Sequence, residues 1–347
     1  MDVCRELYNA GLQERIESYQ TTGKGTTFNS PSAQLPDIKN IREDVGRVFS
    51  QVLQDVLHRL DKTYASFFLR VKRHQTAGFP RFKGRYRYDS FTYPQAGFSL
   101  GNKLQLSKIG NIKIKLHRER RGEVKTLTIK RENGNWCACF SCVVEPEPLP
   151  VLNNSVGIDV GLETFATLSN GDRIENPRLY RAAEKRLRRA QRKVARRHKG
   201  SHRRRKAVAL LSQVHKDTFH QRNDFQHKAS TNLVLKYGVI FVEDLNIKSL
   251  SRGMLAKSVH DASWGSFLDK LSYKAEHAGR QVVQVDSWGT SQRCICGADN
   301  RKKLSDREHV CIECGLVTSR DHASALEIQR LGLSLQASTI LETECVA

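Results

Sequence analysis

Apolar positions along the chain keep switching between two periods, and the switches mark out its elements. Between residues 2 and 20, positions 4, 7, 8, 12 and 16 form the apolar face of one helix. A polar, Gly/Ser/Thr-rich link over 21–34 follows. Asp37 can then cap a second helical region, whose stripe of Val45, Val48, Phe49, Val52, Val56 and Leu60 runs on toward Arg70. From Phe98 to Val144 the period falls to two. Short strands are predicted around 104–106, 112–116, 124–130 and 136–144, with Glu132-Asn-Gly-Asn135 as a hairpin turn. Their natural closure is a small antiparallel β-barrel with its lysines facing solvent. Cys139 and Cys142 are read as packing within it, because strand residues three apart point to opposite faces. Glu145-Pro-Glu-Pro-Leu-Pro150 is a stiff linker and the clearest domain boundary.

Beyond it, strands and helices alternate, which predicts a mixed, helix-covered sheet. One strand, 156–160, turns at Gly161 into a second. A helical region over 178–206 breaks at Lys199-Gly-Ser201, with Leu179, Ala183, Leu187, Ala190 and Val194 on its apolar face. It continues through Val208 and Leu211 to Leu233 and a strand at 239–242. An amphipathic helix from about Ser263 to its C-cap Gly279, a strand at 281–285 and a helix starting near Asp321 complete the half. Residues from Gly332 on read as a weakly ordered tail.

Three acidic residues break this pattern. Asp159 stands inside an apolar β-branched strand, Glu243 ends another, and Asp321 opens a helix. A carboxylate in such a place is costly unless it is paired or holds a cation. Three of them on separate elements could share one site of the kind that two-metal phosphoryl-transfer chemistry requires. Asp244 points to the other side of its strand and is less favoured; Glu163 is at most a supporting residue.

Charge narrows the partners. The 58 Lys and Arg against 36 Asp and Glu leave a net charge of +22, which favours polyanions. Nucleic acid is the first suspect and an anionic membrane the second, but no apolar run approaches the ~20 residues of a spanning helix, and no anchor helix with exposed Trp or Phe is evident. Between Gly78 and Pro94, Arg81, Lys83, Arg85 and Arg87 interleave with Tyr86, Tyr88, Phe91 and Tyr93, a mixture suited to phosphates and base stacking. The alternative is that these aromatics plug a sheet core. In the basic helical region, Arg186, Arg189, Arg192 and Arg196 have few acidic partners, so a nucleic-acid backbone would offset their repulsion.

Nine cysteines in a chain without an export signal favour metal over disulfides. Cys294-Ile-Cys296 and Cys311-Ile-Glu-Cys314, each followed by Gly, read as a four-thiolate structural zinc site. The first pair is one residue short of C-x2-C, and His309 is a possible substitute ligand.

Taken together, Cys4-Arg-Glu-Leu-Tyr-Asn9, Gly78-Phe-Pro-Arg-Phe-Lys83, Ser90-Phe-Thr-Tyr-Pro94, Gly157-Ile-Asp-Val-Gly161, Val242-Glu-Asp-Leu-Asn246, Thr290-Ser-Gln-Arg-Cys294 and Arg320-Asp321 resemble the TnpB proteins of bacterial insertion sequences, RNA-guided nucleases related to miniature type V CRISPR effectors. The resemblance implies a multidomain α+β chain. Its parts would be a helical recognition region (1–77), a basic-aromatic segment and oligonucleotide-binding-like wedge barrel (78–150), and a RuvC-like, ribonuclease H-fold nuclease (151–289 and 319–331) interrupted by a zinc-ribbon insertion (290–318), with the tail at 332–347. It places Asp159, Glu243 and Asp321 at the catalytic positions, holding two Mg²⁺ ions, and Cys294, Cys296, Cys311 and Cys314 on Zn²⁺. The implied partners are a guide RNA from the protein's own element and double-stranded target DNA bearing a short flanking motif. One or two copies would sit on each RNA, in the bacterial cytosol or nucleoid. Two alternatives are a cleavage-impaired, RNA-guided DNA-binding regulator and, less favoured, a three-carboxylate DNA transposase.

Overall fold

Helix α1 (Asp2–Thr22) buries Cys4, Leu7, Tyr8 and Leu12 and stops at Gly23, whose left-handed backbone (φ 65°) returns its N–H to the Tyr19 carbonyl. Three short helices follow, α2 (Asn29–Ala33), α3 (Leu35–Ile41) and α4 (Glu43–Gly46), before α5 (Ser50–Lys72), whose Val52, Leu53, Val56, Leu57 and Leu60 face α1 from the same core. Asp37 lies inside the first turn of α3, behind Pro36, and makes no capping hydrogen bond; Gln34 holds the cap position. The computed structural model describes residues 1–85, 87–119, 121–303 and 306–344, and it forms two compact units, Met1–Glu145 and Pro146–Ala347.

The first unit continues with β1 (Ser90–Tyr93), β2 (Phe98–Leu100), β3 (Leu104–Leu106), β4 (Gly110–Ile112), β5 (Glu123–Glu132) and β6 (Asn135–Val143). They form two antiparallel three-stranded sheets, β1-β5-β6 and β2-β3-β4. The expected barrel is therefore not closed. Residues 113–116 leave the strand conformation, and among the described residues nothing pairs with the outer edge of β6. Cys139 and Cys142 are exposed on that edge strand instead of packed; Ala138 and Phe140 are the β6 side chains that reach the core. The β5–β6 hairpin turns at Asn133 and Gly134, both with positive φ, as the Asn-Gly pair predicts.

In the second unit the five-stranded sheet has the order β11-β10-β7-β8-β9: β7 (Ser155–Val160), β8 (Thr164–Leu168), β9 (Arg173–Glu175), β10 (Val239–Asp244) and β11 (Gln281–Asp286). Strands β7, β10 and β11 run parallel, while β8 and β9 are antiparallel additions. Between β9 and β10 stand the basic helix α6 (Leu179–Ala195) and the long α7 (His202–Lys236), which Ser201 caps by accepting from the Arg204 N–H. Then come α8 (Ile247–Leu250), α9 (Ala256–Ala262) and α10 (Trp264–His277), which crosses over to β11. A hairpin, β12 (Glu308–Val310) with β13 (Val317–Ser319), precedes the last helix, α11 (Arg320–Glu344). The expected weakly ordered tail is thus helical through Glu344, and residues 345–347 lie outside the described residues.

Strand alternation gives the sheet two different faces. Val156, Ile158, Ile240 and Val242 turn to the α7 and α10 side and join Leu233, Phe267 and Leu271 in the main core. Phe241 and Val285 turn to the other side and pack with Ile328 of α11. Helix and sheet approach very closely there. A Cβ on Gly157 would lie 2.2 Å from the Ala325 carbonyl oxygen, and one on Gly332 would lie 2.0 Å from the Phe241 ring. Glycine at these two places is a condition of seating α11 on the sheet. Among the described residues no helix is long and apolar enough to cross a membrane.

Candidate active site

The same alternation decides where the carboxylates go. Gly157 and Phe241 touch α11, so Asp159 and Glu243, each two residues further along its strand, share that face. The parallel register pairs Val242 with Ile158 and sets Glu243 beside Asp159 at the carboxyl ends of neighbouring strands. The first turn of α11 then supplies Asp321. Its Oδ2 lies 3.9 Å from where a Cβ on Gly161 would stand, next to the turn that ends β7. His322 fixes this turn: its ring meets Thr318 Oγ1 at 2.8 Å through Nδ1 and the Ser169 carbonyl at 3.1 Å through Nε2.

All three carboxylates are partly buried. Burial, and then the neighbouring charges of Glu243 and Asp321, push the Asp159 carboxyl well above the ordinary carboxylate range, with Arg320 acting the other way. Burial raises Glu243 as well, and the Thr290 hydroxyl, donating to its Oε1, opposes that rise. The result is a concentration of negative charge in a half-dry cleft, which a divalent cation with oxygen preference would neutralise. Asp244 is exposed, and Glu163 meets Arg307 at 3.5 Å on the surface.

Thr290 was legible only as part of the stretch leading into the first cysteine pair. Its side chain is buried, and it opens a 3-10 turn (Thr290–Gln292) packed against α11. A second unanticipated element is the Glu327–Arg330 pair of α11, with two contacts of 2.7 Å and Glu327 fully enclosed.

The four cysteines come together despite the shortened first pair. Cys294 and Cys314 sulfurs are 3.5 Å apart, Cys296 and Cys311 sulfurs 3.7 Å, and all four lie within 4.8 Å of one another. Thiolates on a tetrahedral zinc at ~2.3 Å would be about 3.8 Å apart, so the set fits that ion. Gly297 and Gly315, both left-handed, return their N–H groups to the Cys294 and Cys311 carbonyls and close each loop. His309 is not part of the cluster; its Nδ1 lies 2.5 Å from Lys302 Nζ. Among the described residues this is the only group of three or more metal-type ligands drawn so tightly together.

The nucleic-acid candidates divide. Arg81, Arg85 and Arg87 are exposed and Lys83 half-exposed, and Asn9 clamps the loop through the Lys83 N–H and carbonyl at 2.8 and 3.0 Å. Tyr88, Phe91 and Tyr93 correct the expectation. All three are buried in the first unit's core, where the two-residue period of β1 turns Phe91 and Tyr93 inward. They plug the sheet and cannot stack on bases. Tyr86 lies outside the described residues. On α6, Arg186, Arg189 and Arg192, and Arg196 at its C-cap, are all exposed, while Ala183, Leu187 and Ala190 form the buried stripe.

Residues 139–254 match a family model described as a probable transposase, and residues 264–328 match the Cas12f1-like TNB domain. A Streptomyces pristinaespiralis protein named as an RNA-guided DNA endonuclease is 33% identical over 96% of this chain and 84% of its own length. The Escherichia coli (strain K12) protein InsQ, named likewise, is 29% identical over 96% of this chain and 88% of its own. A Cas12f1 solved with its guide RNA and target DNA shares the fold at 16% identity, with a TM-score of 0.57 over 94% of this chain and 80% of that one. On the near full-length match to the Streptomyces relative, the chain belongs to the TnpB family of proteins named for RNA-guided DNA cleavage.

Proposed function

We propose that this protein is the RNA-guided DNA endonuclease of an insertion sequence, cutting guide-complementary DNA beside a short flanking motif by two-metal-ion hydrolysis. The observation that carries the reading is the convergence of Asp159, Glu243 and Asp321 on the α11 face of the sheet. The five-stranded order, with three parallel strands and two antiparallel additions, supports a RuvC-like, ribonuclease H type of nuclease. The cysteine hairpin supports a zinc ribbon inserted before its last helix.

Asp159, Glu243 and Asp321 would together hold two Mg²⁺ ions. Bound there, the ions supply an activated water and stabilise the leaving oxygen. The chain's own part is positional. Thr290 fixes one oxygen of Glu243, His322 fixes the turn that carries Asp321, and α11 shields one side of the cleft. Guide pairing would read the target, so the protein needs cationic surface more than base-specific side chains. The exposed arginines of α6 and the 81–87 loop supply it.

The test is cleavage of double-stranded DNA, target fixed and flank randomised, by protein made with RNA from its own locus. Cuts that need guide, Mg²⁺ and Asp159, beside one enriched flank, are expected. RNA recovered with the protein, but no cut DNA, would refute the nuclease and favour the binding regulator.

A further inference from the structure

A hollow of about 290 Å³ lies beside the β7–β8 turn. Leu162 and Glu163 of that turn, Arg178 and Arg181 at the start of α6, Asp261 of α9 and Arg307 from between the cysteine pairs all face it. Leu162 directly follows Gly161, the residue against which Asp321 rests, and the Arg307 carbonyl accepts the Arg320 N–H at 2.8 Å, so two lining residues continue into the segments that flank Asp321.

Its charge is cationic in effect. Asp261 is buried and already occupied: its two oxygens accept the N–H groups of Tyr180 at 2.7 Å and Arg181 at 3.2 Å, closing the end of α6. Glu163 meets Arg307 at 3.5 Å, but both side chains are about two-thirds exposed, and such a pair is weak. Arg181 donates to Ser258 Oγ at 2.7 Å. Arg178 makes no ion pair among the described residues. The hollow is open to solvent and small, and three guanidinium groups, those of Arg178, Arg181 and Arg307, line it.

A strand approaching three carboxylates is repelled by them and needs a cationic hold beside the cleft. We propose that this hollow seats one phosphodiester of that strand, within a few linkages of the bond cut, with Arg178 and Arg181 as its donors and Arg307 exchanging Glu163 for the phosphate. Guanidinium forks suit phosphate oxygens, and the contact is blind to sequence. This rests on the nuclease reading and adds a substrate-positioning site to it.

The test uses the full chain loaded with guide RNA, Ca²⁺ in place of Mg²⁺, and short single strands of DNA or RNA of equal sequence. Arg178→Ala should weaken binding about 10-fold and lower the salt slope by about 0.7, the share of one phosphate contact on a single strand. Arg178→Lys should recover most of both, and Lys228→Ala, an exposed cation elsewhere in the unit, should change neither. One neutral methylphosphonate linkage near the cut should cost the wild type about 10-fold and cost Arg178→Ala nothing more. Whichever strand shows the loss identifies the source of the phosphate. Cleavage with guide and Mg²⁺ by the wild type, together with an unchanged slope in Arg178→Ala, would overturn the seat while leaving the nuclease intact. A wild type that neither binds nor cuts overturns both.

Discussion

Gly157→Ala tests the geometry on which the site depends. The added methyl would stand 2.2 Å from the Ala325 carbonyl oxygen and 2.7 Å from the Gln329 nitrogen, both backbone atoms of α11 that no rotamer change can move aside. Restoring ordinary contact, about 3.5 Å, requires the helix to withdraw by about 1 Å. Overpacking of this kind costs roughly 1–3 kcal/mol, and a clash against main chain belongs at the upper end. For a unit of this size each kcal/mol lowers Tm by about 2–4 °C, so a fall of ~6–12 °C is expected by calorimetry. Function should suffer more than stability. Helix α11 carries Asp321, and a ~1 Å misplacement of a reacting group costs on the order of 100-fold. Single-turnover cleavage at 25 °C should therefore drop about 100-fold. Gly101→Ala, where no atom lies within 4 Å, is the control and should be neutral. A Gly157→Ala protein that melts and cuts like the wild type would refute the close seating of α11 and, with it, the placement of Asp321.

Three further outcomes follow from the site. Thr290→Val removes the hydroxyl that holds Glu243 and should lower cleavage about 10-fold at saturating Mg²⁺, with Thr290→Ser restoring most of it; equal rates for Val and wild type would exclude a positioning role. Because the Asp159 carboxyl is raised in the folded protein, its protonated form favours folding, and that contribution is lost as pH rises through the folded pKa. Metal-free Asp159→Asn should therefore melt above the metal-free wild type at pH 7, and the gap should close toward pH 4; a gap that is absent at pH 7 or constant with pH contradicts the burial. Elemental analysis should find about one zinc per chain, and Cys294→Ser or strong chelation should remove it and lower both Tm and cleavage, whereas a chain purified without zinc and fully active would show the thiolates to be dispensable.

Much of this was legible because the deciding signals are local. The stripe of α1, the Asn133-Gly134 hairpin, the helix break before Ser201 and the alternation around Asp159 each follow from a few neighbouring residues. The carboxylates could be picked out because a charge in an apolar strand needs a reason. What failed depended on partners distant in sequence. Strands of the right period do not say whether the last will find the first, and β6 does not. Tyr88, Phe91 and Tyr93 sit among arginines in sequence but behind a sheet in space. Thr290 acquires its role only when β10 and the 3-10 turn meet, 47 residues apart in the chain. Gly332 suggested a loosening of the chain, whereas its missing side chain is what admits Phe241.

Helix α11 also sets the order in which the molecule becomes dangerous. Chains emerge from the ribosome N-terminus first, and their domains fold in that order. The strands bearing Asp159 and Glu243 and the basic surface of α6 are all made before residue 320. Until α11 follows, a nascent chain can gather nucleic acid yet lacks Asp321, the cover over its sheet and the surface on which Thr290 packs. Products of translation that stop before residue 320 should accordingly be binders without teeth, because the capacity to cut waits on α11.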